Sequence, residues 1–227
     1  MDTTRVVIAI DGPAGAGKST VSKMLSQRLG LHYLDTGAMY RCLAFEALKA
    51  GLRVDQGDEA AKLLDSVNIE FGIGEPQPVS VNGVDVTAAI RTPEIGEAAS
   101  ALSQYTPVRV KMVERQKDLV AHGGVILEGR DVTTVVAPNA TLKIYLTASL
   151  EERAKRRLGE FSAKGMSGSF QDVRAQIQNR DHRDISRDDS PLKVADDAVV
   201  VESAEHSPEE VCDIIVKHLN RVLASGG

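Results

Sequence analysis

Two cysteines in 227 residues are too few for a disulfide framework, and Cys42 and Cys212 lie in separate apolar helical patterns with no CxxC or metal-type spacing. Both are expected to be core thiols of a reducing compartment. The five histidines never fall at i, i+4 beside a glutamate, so the signature of a zinc hydrolase is missing. No stretch approaches the roughly 18 consecutive apolar residues of a membrane span. The few residues ahead of the first apolar run carry no basic region followed by a long apolar one, so no signal peptide is read there and a soluble, cytoplasmic protein is expected. With a formal net charge of -5, a global electrostatic grip on nucleic acid or on an anionic membrane is not expected either. No repeat suggests an obligate assembly, so the expectation is a monomer with small-molecule partners.

A hydrophobic fraction of 42% is enough to build a core of one α/β domain with insertions, or of two small domains. Residues 8–20 read IAIDGPAGAGKST. An apolar strand at 6–10 runs into Gly12, Pro13, Ala14, Gly15, Ala16, Gly17, Lys18 and Ser19, which satisfy G-x-x-x-x-G-K-[ST] at every specified position, with Thr20 following. Glycines let backbone N–H groups converge on phosphate oxygens while the next helix presents the positive end of its dipole. Lys18 would reach the β- and γ-phosphates of a nucleotide, and Ser19 would hold magnesium. A chance glycine-rich turn is the alternative, and the strand before and helix after argue against it.

Val21, Met24, Leu25 and Leu29 recur at helical spacing up to Gly30, and a short strand is expected at 32–34. Asp35-Thr36-Gly37 then punctuates the chain before a helix carried by Tyr40, Leu43, Ala44, Ala47 and Leu48, which stops at Gly51. Segments 68–72 and 79–86 alternate apolar and polar residues, and Asn82-Gly83 between Val81 and Val84 signals a hairpin. An antiparallel piece of this kind reads as an insertion. Helix 109–120, strand 124–128 and strand 141–146 restore the β/α rhythm. A charged helix at 149–161 precedes a Gly/Ser-rich stretch at 164–169, a helix at 170–185 and a last strand at 198–201. Ser207-Pro208-Glu209-Glu210 is a capping box that opens a final helix through 223. The expected fold is α/β: a P-loop core whose five-stranded parallel sheet is flanked by helices, with a small antiparallel insertion and a helical lid. The expected segments are core at 1–61, insertion at 62–105, core at 106–148, lid region at 149–170 and core at 171–227.

Glu128, at the carboxyl end of an apolar strand, could orient a hydrated magnesium ion, or be an ordinary exposed strand end. Between 150 and 193 there are ten Lys/Arg against eight Asp/Glu, a local excess of positive charge in an acidic chain. Arg153, Arg156 and Arg157 share one helix face there, either to meet phosphates or as a solvated face with pairs such as Glu152 with Arg156. Arg180, Asp184 and Arg187 also share a face. Arginine binds phosphate bidentately and aspartate accepts from sugar hydroxyls, although ion pairing along the helix explains the same spacing. Gly129-Arg130-Asp131 puts a further arginine and carboxylate at the carboxyl edge of the sheet, where α/β proteins bind ligands. Tyr40 and Arg41 could stack on a base or sugar and clamp a phosphate.

Taken together and in this order, GPAGAGKST, YLDTGAMYR, IRTPEIGEAAS, EGRDVTTVV, ERAKRR and RDHRDISR resemble the bacterial cytidylate kinase family from about residue 5 onward. The resemblance implies a nucleoside monophosphate kinase moving the γ-phosphoryl of ATP to CMP or dCMP with Mg2+, with 62–105 as its NMP-binding insertion. It makes Lys18 the phosphate lysine and Arg153 and Arg157 the lid arginines, with Arg156 as a further candidate. Ser100, Arg109, Asp131 and Arg187 match positions that read cytosine. Arg41 and Arg130 match those gripping the acceptor phosphate, Arg130 also counting as catalytic. Tyr40, Arg180 and Asp184 match sugar contacts, and Thr36 stands where a serine is also familiar. Two rival readings are a nucleotide switch, against which the chain lacks N-K-x-D, and a P-loop kinase for another acceptor such as shikimate or adenylate.

Overall fold

In the computed structural model, which describes residues 3–163 and 165–225, the chain runs β1 (Val7–Asp11), α1 (Lys18–Leu29), β2 (His32–Asp35), α2 (Thr36–Lys49), α3 (Gly57–Leu63), β3 (Ile69–Phe71), β4 (Val79–Val81) and β5 (Val84–Asp85). It continues through α4 (Pro93–Leu102), α5 (Thr106–Val120), β6 (Val125–Gly129), β7 (Leu142–Thr147), α6 (Leu150–Ala163), α7 (Phe170–Ser186), β8 (Val199–Glu202) and α8 (Pro208–Ser225). Lys164, which heads the Gly/Ser-rich stretch, and residues 1, 2, 226 and 227 lie outside the described residues. No described helix is long and apolar enough to cross a membrane.

The chain divides into two compact units, Met1–Tyr33 with Val120–Gly227, and Leu34–Leu119. The first is built on the expected five-stranded sheet, in the order β2-β6-β1-β7-β8. β1 is its centre, parallel to β6 and to β7, which is why Ile8, Ala9 and Ile10 form an unbroken apolar run with no exposed surface. Val21 and Leu25 of α1 pack with Ile8, Ile126 and Ile144, in one core with Val211, Cys212, Ile215 and Leu219 of α8. The capping box forms as expected: the Ser207 N–H donates to Glu210 at 2.8 Å, and the Glu210 N–H donates to the Ser207 hydroxyl at 3.2 Å. Such a cap is worth about 1 kcal/mol. Both cysteines are buried free thiols, and burial pushes Cys42 up to about 12.

The second unit holds the antiparallel sheet β3-β4-β5, and the hairpin turns at Asn82 and Gly83, both at positive φ. The 62–105 segment lies inside this larger unit. Asp35-Thr36-Gly37 differs from its reading as punctuation. Asp35 is the N-cap of α2, its carboxylate accepting from the Ala38 N–H at 2.9 Å, so the helix starts at Thr36 and places Tyr40 and Arg41 in its second turn. Helices α3 and α4, unread in the sequence, fill out the unit, the latter capped by Thr92 with Pro93 in its first turn.

β1 hands over to the loop under two constraints. A Cβ on Gly12, at φ +151, would lie 1.9 Å from the Leu146 carbonyl oxygen. The Asp11 carboxylate accepts from the Val132 N–H at 3.0 Å, the Thr133 N–H at 2.8 Å and the Thr133 hydroxyl at 2.6 Å. These donors open the single π-helical turn Val132–Val136, so Asp11 joins the end of β1 to the chain leaving β6.

Gly12→Ala should therefore cost at least about 2 kcal/mol in denaturant unfolding, by strain and overpacking against backbone. Burial pushes the Asp11 carboxyl from 3.8 to about 6, against the lowering effect of the Thr133 and Val132 hydrogen bonds. The folded state then holds this proton more tightly than the unfolded chain, so the group's contribution to stability falls by roughly 3 kcal/mol as pH rises from about 4 to about 6. The Asp11 side-chain carboxyl carbon, followed by NMR, should titrate near pH 6, and a midpoint near 3.8 would count against this burial effect.

Candidate functional site

The loop between β1 and α1 ends at Gly17, a left-handed N-cap with no side-chain cap bond, and the first turn of α1 has no acidic residue. Its N–H groups therefore have no carboxylate of their own helix to neutralise them, which suits an anion. Ser19 and Thr20 are exposed at the head of α1, and Lys18 is buried. The Lys18 ammonium bends back over the loop, donating to the Gly12 carbonyl at 2.7 Å and to the Pro13 carbonyl at 2.8 Å. Burial lowers it from 10.5 to about 7, with Arg130 and Arg180 acting in the same direction and Glu128 and Asp11 opposing. A phosphate anion would reverse that balance.

The three arginines of α6 part company. Arg153 is buried, donating to the Ala148 carbonyl at 2.9 Å, the Ala14 carbonyl at 3.1 Å and the Asp181 carboxylate. Arg156 donates to the Ser203 carbonyl at 2.7 Å and hydroxyl at 2.9 Å, and reaches the Ala16 carbonyl at 3.4 Å. Arg157 points elsewhere, partly exposed, paired with Glu160 at 2.8 Å and 4.9 Å from the Phe161 ring centroid. The anticipated partner of Glu152 is also different, Lys155 at 2.6 Å in place of Arg156. Arg156 is drawn instead to Ser203 and the loop.

At the carboxyl edge of the sheet, Glu128 is buried and accepts from the Tyr33 hydroxyl. Arg130 pairs with Asp184 at 2.8 Å, while Arg187 lies 3.6 Å from Asp131 and 3.9 Å from Asp184. Burial acts to raise the Asp184 carboxyl, but Arg130, Arg180 and Arg187 together outweigh it and hold it below the ordinary carboxylate range. Of the two alternatives read from spacing, ion pairing is the one seen: these side chains pair with one another at the carboxyl edge of the sheet.

In the second unit, Thr36, Tyr40 and Arg41 come from α2, Ser100 from α4 and Arg109 from α5. Arg109 is the largest fully buried side chain, its guanidinium 5.8 Å from the Tyr40 ring centroid and donating to the Ser103 carbonyl at 3.2 Å. Arg41 reaches the Ile90 carbonyl at 3.4 Å and lies against Gly96, where a Cβ would come within 2.9 Å of its Nη1. The Ser100 hydroxyl is buried without a hydrogen-bond partner among the described residues. A buried hydroxyl in that state calls for a partner the chain does not supply.

Sequence reasoning missed Asp11, Asp181, Tyr33 and Ser203. Asp11 is the residue just before Gly12, and an acid closing an apolar strand at such a loop was a readable signal. Asp181, Tyr33 and Ser203 acquire their contacts only through the fold.

A family model described as Cytidylate kinase matches residues 8–221. A cytidylate kinase of Geobacter sp. (strain M21) is 44% identical over 222 residues, covering 97% of this chain and 95% of that protein. One from Listeria welshimeri serovar 6b is 44% identical over 214 residues, covering 94% and 96%. Among solved structures, a gluconokinase from Sinorhizobium meliloti 1021 superposes with a TM-score of 0.52 at 12% identity, covering 96% of this chain and 94% of its own, a likeness of fold. An uncharacterized protein from Eubacterium ventriosum ATCC 27560 gives a TM-score of 0.55 at 11% identity, covering 96% and 99%. On a family match spanning nearly the whole chain, and on relatives this similar over nearly their full lengths, the chain belongs to the cytidylate kinase family.

Proposed function

We propose that the chain transfers the γ-phosphoryl group of ATP to CMP or dCMP, giving CDP or dCDP and ADP. The observation that carries the choice of acceptor is the buried, partnerless Ser100 hydroxyl in the unit that also buries Arg109. A hydroxyl and a guanidinium match the mixed donor and acceptor edge of a cytosine ring. The family resemblance gives base reading to Asp131 and Arg187 as well, nucleoside contacts to Thr36, Tyr40, Arg180 and Asp184, and the acceptor phosphate to Arg41 and Arg130. Segment 62–105 acts as the acceptor-binding insertion, and α6 with the chain following it acts as the lid.

The acceptor is already a phosphate anion, so the reaction needs positioning and charge stabilisation more than a strong base. The loop amides and Lys18 hold the donor phosphates, and Arg153 and Arg157 stabilise the charge of the group in transit. The donor set suits magnesium. The exposed Ser19 hydroxyl and the buried Glu128 offer hard oxygen atoms, and no cluster of three His, Cys, Asp or Glu competes among the described residues. The bound ion would neutralise phosphate charge while Glu128 orients it through water.

ADP release should be fast with CMP and dCMP and slow with UMP, AMP, GMP, shikimate or no acceptor, each offered separately with ATP and magnesium. Dominance of another acceptor would overturn the base-reading roles, and turnover independent of any acceptor would overturn the kinase reading. Arg157→Ala should lower kcat by on the order of a thousandfold, with KM for either nucleotide changed by less than about threefold. Equal losses in kcat and in affinity would count against its transition-state role.

A further inference from the structure

Asp181 had no role in the sequence reading, yet it sits on the phosphate loop. Its Oδ1 accepts from the Ala14 N–H at 3.2 Å, and its Oδ2 accepts from Nη1 of Arg153. The same Nη1 donates to the Ala14 carbonyl at 3.1 Å. Ala14, Arg153 and Asp181 thus close a ring of three hydrogen bonds, one member each from the loop, α6 and α7. Both charged side chains are largely withdrawn from water, at 8% and 13% exposure. Nε of Arg153 is taken by the Ala148 carbonyl at 2.9 Å, which leaves Nη2 without a hydrogen-bond partner among the described residues. The backbone is close as well: a Cβ on Gly15 would come within 3.2 Å of both Cβ and the carbonyl oxygen of Arg153.

We infer that Asp181 is a positioning residue for phosphoryl transfer: its carboxylate locks the Ala14 peptide and the Arg153 guanidinium into one register, presenting Nη2 of Arg153 to a phosphate oxygen. The inference rests on the proposed kinase reading and deepens it. A free arginine side chain has many rotamers to lose when it is fixed in one. Fixing it through Nε and Nη1 before substrate arrives removes that cost from the reaction step. An anion is needed for the purpose, because an aspartate accepts from a backbone N–H and a guanidinium at once, whereas an amide in its place must turn a donor toward one of them. The carboxylate also offsets the positive charge that Arg153 brings to the loop.

The test is steady-state kinetics of the full chain with ATP, magnesium and CMP, comparing wild type with Asp181→Asn, Asp181→Glu, Arg153→Ala and the double variant Asp181→Asn/Arg153→Ala. Asp181→Asn should lower kcat on the order of 10- to 100-fold. KM for CMP should change by less than about threefold. Asp181→Glu, which keeps the charge, should retain more of kcat than the Asn variant. The double variant should be no slower than Arg153→Ala alone, because both changes remove one device. An unchanged kcat in Asp181→Asn, a Glu variant no better than the Asn variant, or fully multiplicative losses in the double variant would each overturn the inference. Should Asp181→Asn fail to fold, amide hydrogen exchange of the wild type gives the reading. The Ala14 N–H should be protected both with and without ATP, and exchange at the rate of an open loop would overturn the clamp. Wild type without activity on CMP would instead sink the kinase reading, a separate failure.

Discussion

A phosphate loop must keep its N–H groups available for a ligand and still hold its shape. Here carbonyls do most of the holding, while the Ala14 N–H is given to Asp181. The Gly12 and Pro13 carbonyls accept from Lys18, the Ala14 carbonyl accepts from Arg153, and the Ala16 carbonyl accepts from Arg156 and the Ser203 hydroxyl. The Ala14–Gly15 and Ala16–Gly17 peptides, gripped by their oxygens, have their orientation fixed with the N–H on the opposite edge. Charged donors make stronger bonds than neutral ones, so the frame resists distortion when a polyanion binds. The glycine conformations allow the curve, and the cationic donors pin it.

The same economy of charge governs the edge of the sheet. Arg130, Asp131, Asp184 and Arg187 bury two positive and two negative groups in mutual contact. Such a set contributes little net stability compared with apolar packing, but it fixes geometry, because each member is costly to leave unpaired. Asp11 acts at a joint in this arrangement. By accepting from Val132 and Thr133 it ties the strand that leads into the loop to the turn that follows Arg130 and Asp131. A carboxyl kept in that buried position loses hydration and is retained where three donors surround it.

Much of this was legible in the sequence where the cause was local. The central strand, the phosphate loop, the Asn82-Gly83 turn and the Ser207 to Glu210 capping box each depend on residues a few positions apart. The Asp35-Thr36-Gly37 stretch misled because an aspartate before a glycine suits both a turn and an N-cap, and only packing of the following helix decides. Helices α3 and α4 are short, and their apolar residues carry too few turns to establish a period. For the candidate site, the proposed members were named from motifs and the family resemblance, but the separate partners of the α6 arginines were not. Spacing put Arg153, Arg156 and Arg157 on one face, but contacts with Ala14, Ser203 and Glu160 send them to three different partners.

The loop occupies residues 12–18, but the side chains that brace its carbonyls from outside come from Arg153, Arg156 and Ser203. Until the segment around residue 203 has folded against the loop, the Ala14 and Ala16 carbonyls lack these outside donors, and only the bonds from Lys18 lie within the loop's own stretch of chain. The frame of the loop is thus a long-range product of the fold, completed only when distant chain has closed on it.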